Sequence, residues 1–308
     1  MHIARRFFLV RSAALIATAA LPIGPARGWA VTTMTAGDLR IDSVSDGHIE
    51  FPPDFAFSTI PESERTDLLR SLGIDPQAVV RSPLNVTLLR QGDRVVLFDV
   101  GSGPDFVPTA GKLAEALAAV DVAPEDVTDV VFTHGHPDHL WGLLDDFDEP
   151  LFANAALHMG QAEFDYWTDP ATMDTIGEER QSFAAGAMRR LTVVGDRITR
   201  FEDGAEVLPG IRAVMTPGHT PGHMSFQVGT PESGLFVTGD FVTMLAGFAR
   251  PDLGTATDHD PELAARTRAA TLAQLADQGW TILGYHLPDG GIGRVRREGE
   301  AFTFESEV

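Results

Sequence analysis

Thr133-His134-Gly135-His136-Pro137-Asp138-His139 decides how this chain is read. Four side chains able to ligate a metal, His134, His136, Asp138 and His139, stand within six positions. They cannot all be packed into a core, because each polar head there would need its own partner. They can converge on cations. Gly135 and Pro137 suit a tight turn, and imidazole with carboxylate suits zinc and its first-row neighbours. The apolar run at 127–133 reads as a buried strand that ends where the histidines begin. A loop just past a strand end is where a sheet fixes reactive groups and exposes them.

Three further ligand types follow downstream, each after a predicted strand: His219 in Thr216-Pro217-Gly218-His219, Asp240 in Thr238-Gly239-Asp240, and His286 in Gly284-Tyr285-His286. Alone, each would read as a hydrogen-bonding loop residue. Their order and their placement after strands make the set specific.

The flanking sequence alternates short apolar runs with helical patterns. Residues 85–90 and 94–100, joined by Gln91-Gly92-Asp93, read as a hairpin. Residues 109–120 carry Leu113, Leu117 and Val120 at helical spacing. Helices are predicted at 160–167 and 178–191, and strands at 211–215, 224–228 and 235–238. Asp260-Pro261 is a helix start, with Asp260 as cap and Pro261 in the first turn; that helix runs to about residue 277 and leads to a strand at 280–285. Residues 292–304 read as a last hairpin. Without a linker or a repeat, one mixed α/β domain is expected.

The chain has 308 residues and carries 23 basic and 44 acidic side chains, for a formal charge of -21. That balance disfavours nucleic acid and anionic membrane as partners, since phosphate binding needs clustered Lys and Arg, and leaves small uncharged molecules as substrates. There is no cysteine, so thiolate ligands and a cysteine nucleophile are excluded. Arg5-Arg6 precede a weakly apolar run at 12–24 and small residues at 25–30, the order of a twin-arginine export signal. Residues 1–30 are therefore expected to direct export to the periplasm or medium, with no stable membrane association afterwards, and residues 31–308 to form the domain.

With these residues in hand, the chain resembles the metallo-β-lactamase superfamily, whose pattern is His-x-His-x-Asp-His followed by His, Asp and His. The resemblance covers about residues 38–305 and implies the α/β (α+β) αββα sandwich. It further implies two divalent metal ions, Zn2+ first with Mn, Fe or Co as alternatives. His134, His136 and His219 would hold one, Asp138, His139 and His286 the other, and Asp240 would bridge them. Asp99 matches the family's Asp-Thr-Gly loop as a hydrogen-bond acceptor behind the ligands, with Val100 where threonine is usual. His223 is expected to orient the ligand turn, and His158 and His259 are read as ordinary surface residues.

Within the superfamily, Ser45-Asp46-Gly47, Glu163-Phe164-Asp165-Tyr166-Trp167 and Gly291-Ile292-Gly293 resemble the methyl parathion hydrolase-like and lactonase-like branch. The activity implied is hydrolysis of small uncharged esters, lactones or phosphotriesters by a bridging hydroxide, with Asp138 and Asp240 as catalytic carboxylates. Trp141, Tyr166, Trp167 and Phe183 are expected to wall the substrate pocket, Trp167 foremost. A glyoxalase II-like thioesterase, whose acidic substrate would need a basic pocket such as Arg294, Arg296 and Arg297, and a mononuclear-iron persulfide dioxygenase-like enzyme are the alternatives. A homodimer is left open.

Overall fold

Alternation within single strands sets the layers. In the computed structural model, which describes residues 31–307, one sheet runs in chain order through β1 (Val31–Ala36), β2 (Leu39–Phe51), β3 (Val80–Gln91), β4 (Arg94–Phe98), β5 (Asp129–Phe132), β6 (Ala156–Gly160) and β7 (Ile198–Phe201). The other runs through β8 (Glu206–Leu208), β9 (Ile211–Met215), β10 (Met224–Val228), β11 (Leu235–Val237), β12 (Thr281–Leu283), β13 (Ile292–Glu298) and β14 (Ala301–Ser306). Pairing is antiparallel except along β4 to β7 and between β11 and β12. On β5, Val130 and Phe132 join a core with helices, whereas Val131 between them joins the core shared by the two sheets. On β11, Leu235 and Val237 face the first sheet and Phe236 faces helices. Strands apolar on both faces must be covered on both. The result is helix, sheet, sheet, helix.

The covering helices are α1 (Pro53–Ala56), α2 (Glu62–Ser71), α3 (Leu113–Ala118), α4 (Pro137–Leu140), α5 (Gln161–Thr168), α6 (Thr172–Thr175), α7 (Gln181–Val194), α8 (Leu245–Ala249) and α9 (Pro261–Gln278). Helix α9 starts as its sequence predicts: the Asp260 carboxylate accepts from Leu263 N at 2.9 Å, Pro261 occupies the first turn, and Gly279 ends it at φ 71°. Among the described residues no helix is long and apolar enough to cross a membrane. The Arg5-Arg6 reading lies outside the described residues.

The expected helix over 109–120 is shorter. Its first turn is taken by Asp46, whose carboxylate accepts from the backbone N–H groups of Gly111, Lys112 and Leu113 at 3.2, 2.7 and 2.8 Å. Those donors hold residues 109–112 in a loop, so helix begins only at Leu113. Several predicted strands are also trimmed by one to three residues at their ends, where chain turns into the ligand loops.

Candidate metal centre

The seven predicted ligands meet at one end of the two sheets, where the chain leaves β5, β9, β11 and β12. Three groups of ligand atoms lie within 4.8 Å of one another: His134, His136 and His219; Asp138, His139 and His286; and His134, His139 and Asp240. The first two coincide with the division the resemblance implies. Asp240 spans them: Oδ2 lies 3.3 Å from His219 Nε2 and 3.0 Å from His286 Nε2, while Oδ1 lies 3.4 Å from His139 Nε2.

Each histidine is turned by what holds its other nitrogen. His139 Nδ1 donates to Asp99 at 2.8 Å, His219 Nδ1 to Asp258 at 3.0 Å and His286 Nδ1 to the Pro83 carbonyl at 2.9 Å. Thr133 Oγ1 donates to Asp99 at 2.8 Å and is thereby left to accept from His134 Nδ1 at 3.0 Å. Asp99 itself sits at φ 66°, in the left-handed region that aspartate tolerates better than most side chains. Val100, which lacks the usual threonine hydroxyl, holds the loop through its backbone N–H to the His139 carbonyl at 2.9 Å.

His223 supports Asp240 and belongs to none of the three groups. The Asp240 N–H donates to His223 Nε2 at 2.8 Å, so the ring proton is on Nδ1 and goes to Thr216 Oγ1 at 2.8 Å. Burial, then the charge of His219, pushes the His223 pKa down to about 3, which keeps it neutral for that acceptance. Gly239 (φ 54°) makes the close approach: a Cβ there would meet His223 Nε2.

Glu163, read in the sequence only as part of a supporting stretch, is wholly buried and ties two ligand loops together. Oε1 accepts from Gly135 N at 2.9 Å and Trp167 Nε1 at 2.6 Å, and Oε2 accepts from Thr220 Oγ1 at 2.8 Å and Gly222 N at 3.0 Å. Burial raises its pKa against those four hydrogen bonds.

The charges around the centre are uneven. Burial and then neighbouring imidazoles hold His134 and His136 well below the ordinary histidine range. Burial opposes charge on His139 and His286 as well, but Asp240 and Asp138 outweigh it, raising His139 far up and His286 to about 10. His219 is raised against burial by Asp240 and Asp258. Burial would raise Asp240, yet His286 and His139 hold it well below the carboxylate range. At neutral pH metal-free His139 and His286 therefore carry protons, which ligation of a cation would expel. Zinc titrated into metal-free protein is expected to release protons and to bind more weakly as pH falls. Calorimetry in buffers of different ionisation enthalpy checks this; an enthalpy independent of the buffer would contradict it.

A cavity of about 680 Å³ opens onto His136, Asp138, His219, Asp240 and His286. Its other walls are largely apolar, from Ile49, Phe51, Phe55, Val80, Phe106 and Phe183. Of the four predicted wall residues, Phe183 alone lines it. Trp167 is fully buried behind the ligand loop, where a Cβ on Gly135 would meet its indole. Trp141 packs against α7, where a Cβ on Gly186 would meet its indole, 5.7 Å from Phe106 and beneath the Arg190 guanidinium at 4.6 Å. Tyr166 points to His259, its Oη 3.1 Å from Nδ1. Tyr166 and Trp167 are carried by α5, which packs against the loop at Gly135 from behind, while the open side is closed by residues from β2, α1 and β3.

Two histidines read as surface residues are not. His158 is buried beside β5 and bonded to Asp129 at 3.1 Å. His259 reaches His136, Nε2 to Nε2 at 2.9 Å; nothing in its local sequence signals that contact. Arg294, Arg296 and Arg297 lie on β13, paired with Glu307, Glu305 and Asp277, and do not line the cavity.

A family model described as metallo-beta-lactamase superfamily matches residues 80–286. An N-acyl homoserine lactonase of Bacillus cereus is 26% identical over 124 residues, 40% of this chain and 42% of that one. The chain spans about half, or less, of the length of the first curated relatives it matches. AidC, a dizinc quorum-quenching lactonase solved with a product, superposes at a TM-score of 0.85 with 22% identity, over 91% of this chain and 98% of that one; the likeness is one of fold. The hydrolase AbOPH of the beta lactamase superfamily superposes at 0.84 with 27% identity over the same shares.

Proposed function

Because this chain belongs to the metallo-β-lactamase superfamily, we propose that it is a binuclear-metal hydrolase acting on small uncharged lactones or esters with an apolar acyl portion. The observation that carries the reading is Asp240, whose two oxygens reach the ligand atoms of both triads.

The donor set fits two cations. His134 Nε2, His139 Nε2 and Asp240 Oδ1 are buried without a hydrogen-bond partner, a costly state for atoms that are not metal ligands. His134, His136 and His219 would hold one ion, and Asp138, His139 and His286 the other, with Asp240 shared. When bound, two divalent ions supply Lewis acidity that polarises a carbonyl and acidifies water.

The chain's own residues do the rest. The ligand ends of His136, His219, Asp138 and His286 form the polar floor of the cavity, so the scissile carbonyl must sit there while Phe106 and Phe183 exclude solvent and hold the apolar portion. Asp138, 3.3 Å from His286 Nε2 and open to the cavity, would take a proton from water and pass it to the leaving oxygen. A lactone is favoured over a phosphotriester by the name of the Bacillus cereus relative. Arg81 and Arg180 are the cations on the wall, too few to favour an acidic thioester.

Metal analysis and a hydrolysis screen test this together. About two transition-metal ions per chain are expected, with turnover of long-acyl lactones above that of glutathione thioesters; one ion, or the reverse preference, would overturn it. Within the screen, Phe183→Ala should raise KM for a long-acyl lactone about tenfold and leave a short one nearly unchanged, since losing some 60 Å² of apolar contact costs roughly 1.5 kcal/mol. Trp167→Ala, by contrast, should lower the melting temperature without changing chain-length preference. Equal losses for both lactones in Phe183→Ala would remove it from the acyl wall.

A further inference from the structure

Four of the five histidines at the centre face it through Nε2 and are backed at Nδ1 by an oxygen from Thr133, Asp99, Asp258 or Pro83. His136 is reversed. Its Nδ1 lies 2.9 Å from His219 Nε2, on the side of the centre, and its Nε2 points away to His259 Nε2 at 2.9 Å. A neutral imidazole has one N–H and one lone pair. If Nδ1 gives its lone pair to a cation, Nε2 must carry the proton and donate it to His259. The accepting nitrogen of His259 is then bare, its own proton is on Nδ1, and Tyr166 Oη at 3.1 Å accepts it. The direction of the whole chain is fixed.

His259 is held where it can do this. Its backbone N–H donates to the His219 carbonyl at 3.1 Å. Asp258, its neighbour, backs His219 and is itself held by Arg268 Nη2 at 3.1 Å and Thr255 N at 2.6 Å. Arg180 donates to the carbonyls of Ala256 and Asp258 at 3.0 and 3.2 Å. One dipeptide thus clamps two of the three histidines in a single triad.

We propose that His259 is a positioning residue for one metal position, selecting the His136 tautomer that leaves Nδ1 free, with Asp258 fixing His219 beside it and Tyr166 completing the relay. This rests on the binuclear reading above. His136 is backed by an imidazole, where His139 and His219 have carboxylates, so its hold on the ion at His134, His136 and His219 depends on the chain through His259 and Tyr166.

Cobalt-loaded protein tests it, using the visible bands and competition with a chromophoric chelator, alongside thermal melts of the metal-free form. His259→Phe is expected to melt as wild type without metal yet to bind one of two cobalt ions about 10- to 100-fold more weakly, with altered bands. His259→Gln, whose side-chain oxygen can accept from His136 Nε2, should recover most of that affinity. Wild-type affinity and spectrum in His259→Phe, or no recovery in His259→Gln, would overturn the role. If His259→Phe is unfolded, Tyr166→Phe decides: about threefold weaker binding of the same ion supports the relay, and unchanged binding refutes it. A wild type that binds a single cobalt ion would sink the binuclear reading, and the effect of His259→Phe on that ion would still settle His259.

Discussion

Asp240→Asn is expected to lower hydrolysis by about 10³-fold or more and to leave the protein with less than its full metal content. An amide keeps the shape of the side chain but offers one neutral oxygen where the carboxylate offers two charged ones, within 3.0 to 3.4 Å of His286, His219 and His139. Losing a single oriented charge-stabilising group already costs about 10²- to 10³-fold, and here the same change removes a ligand. The metal-free variant also loses the charge that holds the protons of His139 and His286, so its proton release on zinc binding should fall. His223→Ala is the comparison. It leaves the Asp240 N–H and Thr216 without their partner, worth about 1 to 3 kcal/mol of stability, but removes no ligand. It should retain both metals and lose about tenfold in activity, as for other groups that orient a ligand. Equal metal loss in the two variants would mean that His223, not Asp240, is the shared ligand.

The second large effect is predicted for a residue that touches no ligand atom. Glu163→Ala should destabilise the protein by about 3 to 5 kcal/mol, because four buried donors lose their acceptor at once and each orphaned group costs about 1 to 3 kcal/mol before relaxation. For a domain of this size that is about 10 °C in melting temperature. Gly135 and Gly222 belong to two different ligand loops, so metal should be lost with stability. Glu163→Gln should fall between. Its carbonyl can serve one pair of donors, and Thr220 can turn its hydroxyl to accept from the new amide; the Gly222 N–H cannot. Thermal denaturation with metal analysis measures all three proteins, and an alanine variant that melts like wild type would refute the tie between the loops.

The strand-loop pattern that carries the candidate ligands was legible in the sequence because it is local. His134, His136, Asp138 and His139 share one turn after β5, and His219, Asp240 and His286 each follow a short apolar strand; spacing and turn residues along the chain suffice to mark them. The pattern gave one mixed α/β domain and the resemblance implied its αββα layers; the structure supplies the reason, since apolar residues on both faces of β4, β5 and β11 require cover on both sides. The start of α3 was misread because its first turn is claimed by Asp46, 65 positions away at Gly111, a competitor that periodicity cannot reveal.

The walls of the cavity and the support of the candidate ligands were decided by tertiary structure alone. Proximity in sequence suggested Trp141 as a wall, and the family resemblance suggested Tyr166 and Trp167, but a helix presents its faces according to what it packs on, and α5 turns Trp167 inward against Gly135. Phe51 and Phe55, distant in the chain, close the cavity instead. His259 stands 123 positions from His136, and Glu163 bonds loops 28 and 59 positions away. A metal ligand announces itself by its neighbours in the chain, whereas a hydrogen-bond partner needs only to arrive at about 3 Å from the right direction, and that placement is a property of the packed elements.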